Sequence, residues 1–519
     1  MHKLLAMLCL VVACGAFTAR ARAQDAAAEV DMLSFASVSA RLDNALRTAD
    51  RPERLASIRE VLSGLGYDLT FAIPDVAADA GGNNRSGAAA EPQILPLDFA
   101  ATAPAFPSSK VFQAEMRLAQ SGPARLIVLS HGNYTLTGLA EAMTLRGNNG
   151  LIAIEEGKAS INLPIYIGPG ANLMISSRDA ADVRLNAAAG AFIVAAGTLI
   201  IDGAQVSSAK LEVRRRPDDE RTFNSFLLVG AGGTFQARNA SFARLGSSKL
   251  QAFGVGLFNT SAESSIVGSI FSATYGLLIE DSQGVGIAGN EFSWVSGTAI
   301  HIVRSSHTRV SGNLIYGAAN GAGILLGSDA RASEVSGNII LRNRTGISTA
   351  MDGGGNVIEN NAIIASAGPG IGLAGVNCNV VRDNDLLANR NAGVAWRGGP
   401  AQLLGNRIAF NQLAGVTSPR DGTAGAIAPG DLLLKGNHFS RNRTGVRVDM
   451  ADSITLENNS FSKQSPRLIS GRLGSEIGAI MAAGAEPVRF TRSGEAAFAQ
   501  ADAANTSGCT IGSANQEIN

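Results

Sequence analysis

The chain has 519 residues, 43 of them basic and 43 acidic, for a formal net charge of zero. Aromatic residues make up 5%, charged residues 17%, and glycine occurs 60 times. This excludes a disordered polyelectrolyte. It also denies a nucleic-acid partner the basic excess it usually requires. What remains is a fold of tight turns and small packed side chains.

In chain order, Met1-His2-Lys3 and the apolar run Leu4 to Ala13 lead to Ala21-Arg22-Ala23. That pattern predicts an export signal over residues 1–23, cleaved before Gln24. Val11-Val12-Ala13-Cys14 keeps a second reading open, a lipid-anchored Cys14. No later stretch is long and apolar enough to cross a bilayer as a transmembrane segment. Residues 24–76 form a helical N-terminal segment, with Leu42, Leu46, Leu55, Ile58, Val61, Leu62 and Leu65 near a 3.6 period that breaks around Pro52. Residues 77–108 are expected to be a linker, Ala/Gly/Asn/Ser-rich over Ala77 to Glu91. A short helix near Lys110 to Gln120, with Phe112, Met116 and Ala119 on one face, is expected to cap the open end of a β-stack.

Residues 109–466 are expected to form one repeat domain with that helix as its N-terminal cap, and from about Leu126 the texture changes to short β-branched runs broken by Gly and Asn. Asn recurs at 290, 313, 338, 360, 384, 406, 437 and 459, with gaps of 23, 25, 22, 24, 22, 31 and 22. In step runs a Gly-apolar-x-apolar series: Gly276-Leu277, Gly323-Ile324, Gly346-Ile347, Gly370-Ile371, Gly393-Val394, Gly415-Val416 and Gly445-Val446. Two or three strands in about 23 residues are too few for a helical repeat or a propeller blade. The expected fold class is all-β: a right-handed parallel β-helix, a solenoid of coils of about 22 to 25 residues. Each coil pairs with the next ~4.8 Å along, and the hand follows from that of parallel crossovers. Asn and Gly suit the corners because both tolerate left-handed backbone. The long gap holds an inserted loop, Ser418 to Gly425, and a second charged loop spans Arg214 to Glu220 as a solvated corner or a lid. Residues 467–519 read as a loosely ordered C-terminal tail. The mature chain keeps Cys378 and Cys509, either a small buried side chain and a tail thiol or a disulfide pair, with no metal spacing.

Several stretches are familiar as a set. They are Ile161 to Ile165, Gly170 to Ile175, Ala191 to Val194, Ser225 to Leu228, Ala240 to Gly246, Phe271 to Gly276, Gly289-Asn290, Ser311 to Gly317 and Leu387 to Arg390. In order and spacing, roughly from Leu126 to Ser462, the chain resembles the periplasmic mannuronan C5-epimerases of bacterial alginate synthesis. The resemblance implies a periplasmic protein with a long groove for an acidic polysaccharide. A base removes the C5 proton, a cation offsets the neighbouring carboxylate, and a proton returns on the opposite face. It implies no metal and no organic cofactor. Partners would be the acidic polysaccharide and proteins of an exopolysaccharide secretion complex.

The family carries Asp-Pro-His-Asp on one strand. Here that stretch is His301-Ile302-Val303-Arg304, so Val303 replaces the catalytic His, and Ser328 replaces the charge-neutralising Arg one coil later. A displaced catalytic set is conceivable: His301 as base, two residues from Val303 and so on the same face, with Arg304 and Tyr316. His307, Arg342, Arg344, Arg382 and Arg397 are candidates for a track binding carboxylated sugars, with Trp396 stacking on a ring. Arg390, Arg407 and Arg420 extend the same recurrence. Adjacent Glu280 and Asp281 face opposite ways on a strand, which disfavours a paired-carboxylate glycosidase. Three readings follow: an epimerase, a catalytically silent polymer-binding or chain-guiding relative, and a lyase on the same scaffold.

Overall fold

The computed structural model describes residues 40–48 apart from Asp43, 51–63, 89–97, 124–209, 223–247, 253–418, 430–493 and 497–502. The chain divides into two compact units, Met1–Ala72 and Ile73–Asn519. In the first, helices lie at residues 40–47 and Arg51–Ser63, burying Leu42, Leu46, Ile58 and Val61. Pro52 stands in the first turn of the second helix, where its missing N–H costs nothing.

The second unit is a parallel solenoid. Three sheets of 15, 15 and 14 strands run its length, here called A, B and C in the order the chain visits them. Each strand pairs with its equivalent one coil on, as Ile300–Val303 of sheet A does with Leu277–Glu280 before it and Ala322–Leu326 after it. Alternate side chains fill the interior, where Phe242, Phe271 and Phe292 stack with centroids 4.7 and 4.5 Å apart.

The asparagines form a continuous buried ladder at the corner between sheets B and C. Each side-chain amide donates to the next side-chain oxygen, from Asn290 to Asn313 at 3.0 Å through Asn437 to Asn459 at 3.0 Å. The stacked residue in the fourth coil is Asn361, not Asn360. Asn360 holds the preceding left-handed position, φ 54°, which Gly312 and Gly337 hold in the coils before. A second ladder, Asn389 to Asn411 to Asn442, lines the corner from C to A.

Both ends of the stack are closed. Gln93–Pro96, inside the expected linker, is an antiparallel edge strand on Arg125–Leu129 of sheet A. Proline is tolerated on such an edge. The expected helix at 110–120 lies outside the described residues. The helix that packs on the first coils is Leu136–Leu145, burying Leu136, Leu139 and Met143, with Thr135 capping Gly138 N–H at 3.1 Å. At the other end the expected loose tail is structured over residues 467–493 and 497–502. Arg467–Gly471 completes sheet A, and a 3₁₀ turn and the helix Ile477–Ala483 bury Leu473 and Ile480. Val488–Ser493 then returns antiparallel on Ser453–Glu457. The period fades because the coil ends, while burial of Val488, Phe490 and Phe498 keeps the segment ordered. Cys378 is in a disulfide whose partner lies outside the described residues. The loops at 214–220 and 419–429, with Arg420, also lie outside them.

Candidate functional site

The x of the Gly-apolar-x-apolar series is the outward position on sheet A. In register down the sheet it reads Tyr166, Val194, Leu228, Gly256, Leu278, His301, Leu325, Ser348, Gly372, Ala395, Thr417 and Arg447. The face therefore changes character halfway. Its first half is apolar and covered: Val194 and Leu228 are buried with Phe192, Phe223 and Phe226, and the Phe192 and Phe226 rings stack at 4.9 Å. Its second half is less apolar, with the small side chains Ser348, Gly372, Ala395 and Thr417 between Leu325 and Arg447. No amphipathic pattern marks this division, because both halves obey the same inward period.

His301 sits at the boundary. Ile300 and Ile302 point inward and are fully buried, so His301 and Val303 point outward. The imidazole lies between Leu278 and Leu325 in register, with the Phe253 ring 5.9 Å away. Gly327 is pressed against it, since a Cβ there would fall 2.7 Å from Nε2. Burial among these groups pushes His301 down to about 4.

That shift carries a stability signature. The unfolded chain takes up this proton near the ordinary histidine value, and the folded chain only near 4. The contribution is complete above about pH 6.5 and is lost as pH falls through this window, on the order of 3 kcal/mol in all. His301→Leu, which matches its apolar neighbours, is expected to flatten unfolding free energy over that window. An acid limb as steep as that of the unmodified protein would remove the assignment.

The other proposed catalytic groups do not join His301. Arg304 occupies a left-handed corner residue, φ 44°, and turns back one coil. Its Nε meets Asp281 Oδ1 at 2.8 Å, its Nη2 meets Asp281 Oδ2 at 2.9 Å, and Nη2 also bonds Glu280. The Arg304 hydrogen bond holds the Asp281 carboxyl below its usual range. Tyr316 is on sheet C, not sheet A. It is buried, and its hydroxyl donates to Glu291 Oε1 at 2.9 Å.

The expected binding residues separate as well. Trp396 corrects the expectation of a sugar-stacking surface: it points inward, is 1% exposed, and donates Nε1–H to the Gly399 carbonyl at 3.0 Å. Its strand alternates from Val394 inward to Ala395 outward, so Trp396 must face the core. Arg397, the next outward residue, is exposed, has no hydrogen bond or ion pair on its side chain among the described residues, and lies beside Gly372, whose Cβ would be 3.8 Å from Nη2. His307 is an exposed corner residue between sheets A and B. Arg382 ends a sheet B strand and is held by Glu359, and Arg407 on sheet C by Asp385 at 3.1 Å. Arg342 and Arg344 stand in the corner from C to A, the first half-buried and the second exposed. Only His301 and Arg397 thus share the outer face of sheet A, four coils or roughly 19 Å apart. Between them in register lie Leu325, Ser348 and Gly372, with Ala395 on the strand that Arg397 follows, an order that parity in the repeat could have identified. Among the described residues no three His, Cys, Asp or Glu side chains gather to hold a metal.

Residues 253–413 match the family model of the right-handed β-helix region. The crystal structure of the periplasmic alginate epimerase AlgG superposes with a TM-score of 0.65 at 21% identity, covering 77% of this chain and 97% of the other. Two of its single-residue mutants give 0.65 and 0.63 at 21% identity, covering 76% and 71% of this chain and 98% and 93% of theirs. No curated protein sequence matches the chain significantly. The chain is a right-handed parallel β-helix protein sharing the fold of the periplasmic alginate epimerase AlgG.

Proposed function

We propose that this protein binds an acidic polysaccharide along the second half of sheet A and guides the polymer without epimerising it. The observation that carries this reading is the dispersal of His301, Arg304 and Tyr316, with Arg397 exposed on the outer face of sheet A. A base held near 4 is poorly matched to abstracting a carbon-bound proton at neutral pH. A cation already shared by two carboxylates is not available to a third. Arg397, by contrast, is exposed and free above a floor of small side chains, where a sugar ring can approach the backbone closely. The apolar start of the chain and the disulfide at Cys378 fit export to an oxidising periplasm. No helix among the described residues is long and apolar enough to cross a membrane.

One observation favours the epimerase as a second reading: His301 faces outward on the strand aligned with the family motif. Incubation with polymannuronate in heavy water separates the two. The expected result is no deuterium at C5, with retardation of the protein in gels containing the polymer. Arg397→Gln should weaken that retardation roughly two- to fivefold. Exchange at C5 that His301→Ala abolishes would overturn the silent reading. New unsaturated ends absorbing in the ultraviolet would instead identify a lyase.

A further inference from the structure

The corners leading from sheet C into sheet A carry charge of one sign. Between residues 294 and 466 they contain Arg342, Arg344, Arg390, Arg441, Arg443 and Lys463, and no Asp or Glu. The chain as a whole is neutral. The corners from A to B are mixed over the same coils, with Asp329 and Asp352 beside Arg304 and Arg331. The one-sided charge is therefore a property of this edge.

Three of these arginines are placed at a fixed interval. Arg344, Arg390 and Arg443 enter the strands Thr345–Thr349, Ala392–Trp396 and Thr444–Val448, which are every second strand of sheet A over this stretch. Two coils advance roughly 10 Å. Each arginine follows a buried asparagine, Asn343, Asn389 or Asn442, whose side-chain oxygen accepts a backbone N–H of the preceding coil. Their backbone positions are thus pinned while their side chains are exposed and, among the described residues, carry no hydrogen bond or ion pair. Two coils before Arg344, in the corner before the His301 strand, Trp294 is 59% exposed. Its ring is held edge-on against Tyr316 at 5.8 Å.

We propose that this edge is a polyanion track on which an extended 1,4-linked polyuronate lies along the coil axis. In such a chain successive rings face alternately, so carboxylates on one side recur every second ring. Each arginine takes one of them, and Trp294 stacks on a ring at one end. The proposal rests on the reading of the protein as an acidic-polysaccharide binder and adds a second line of contact, at the margin where the strands of sheet A begin and opposite Arg397, with its direction and spacing.

The test measures binding of an extended 1,4-linked polyuronate, and of polyglutamate at equal charge, to the full-length protein. Combined Arg344→Gln, Arg390→Gln and Arg443→Gln should weaken polyuronate binding about 10- to 100-fold, from two- to fivefold each. The thermal midpoint should not change, because the replaced groups are exposed. Trp294→Ala should weaken it roughly three- to tenfold. Polyglutamate, lacking the two-ring repeat, should bind at least about tenfold more weakly. Polyuronate binding that the triple variant retains, or equal binding of polyglutamate, overturns the track and leaves the binder reading standing. No binding of any acidic polysaccharide by the unmodified protein overturns both.

Discussion

Asn384→Leu is expected to destabilise the solenoid by about 3 to 5 kcal/mol. The side chain is fully buried, and leucine has the same number of side-chain heavy atoms but no hydrogen-bonding group. Its oxygen accepts from the Asn361 backbone N–H at 3.0 Å and from the Asn361 amide at 2.9 Å. Its own amide donates to the Ile358 carbonyl at 2.8 Å and to Asn406 Oδ1 at 3.0 Å. Leucine leaves these partners buried without water, at roughly 1 to 3 kcal/mol for each unsatisfied group. Asn361→Leu should cost a similar amount. Asn360→Gly should lie within about 0.5 kcal/mol of the unmodified protein, since glycine accepts the same left-handed backbone. Denaturant unfolding of the three variants checks the ordering. Equal losses at Asn360 and Asn361 would mean that the ladder is misassigned.

Trp396→Ala is expected to cost about 3 to 5 kcal/mol and to act locally. It empties the largest fully buried side-chain volume in the core and orphans the Gly399 carbonyl. Gly399 cannot move to compensate, because its Cα already packs on Gly375, whose carbonyl would lie 1.7 Å from an added Cβ. In a solenoid each coil is stabilised by its immediate neighbours. Amide exchange should therefore quicken in Ile371–Leu373, Ala392–Trp396 and Ala414–Thr417, and stay slow in Ile165–Ile167 and Leu227–Val229. A variant that lost polymer binding with unchanged stability would return Trp396 to the surface.

The coil period, the parallel sheets and the inward positions were legible because burial repeats with the chain. Parity also revealed more than was taken from it. Trp396 occupies the second apolar slot of its repeat and Arg397 the outward one, so the adjacency that suggested a joint sugar site in fact divides the two between core and surface. Arg304 was harder. Asp281 precedes it by one coil, so the pairing was within reach of the period, but the left-handed corner that turns the side chain backward depends on the whole rung. Tyr316 lies only 15 residues from His301, but in this fold those residues carry the chain around two corners to another sheet. The C-terminal cap was missed because its antiparallel strands and short helix share no period with the coils.

The closed ends have a consequence for the quaternary life of the molecule. Every cross-section of the stack offers the same unsatisfied rim of amides and carbonyls, so nothing in the repeat itself limits growth into a filament. Gln93–Pro96 on sheet A at one terminus and Val488–Ser493 on sheet B at the other reverse strand direction and end the parallel pairing of those two sheets. In those two sheets the parallel repeat therefore stops at a strand reversal that the repeat itself does not encode.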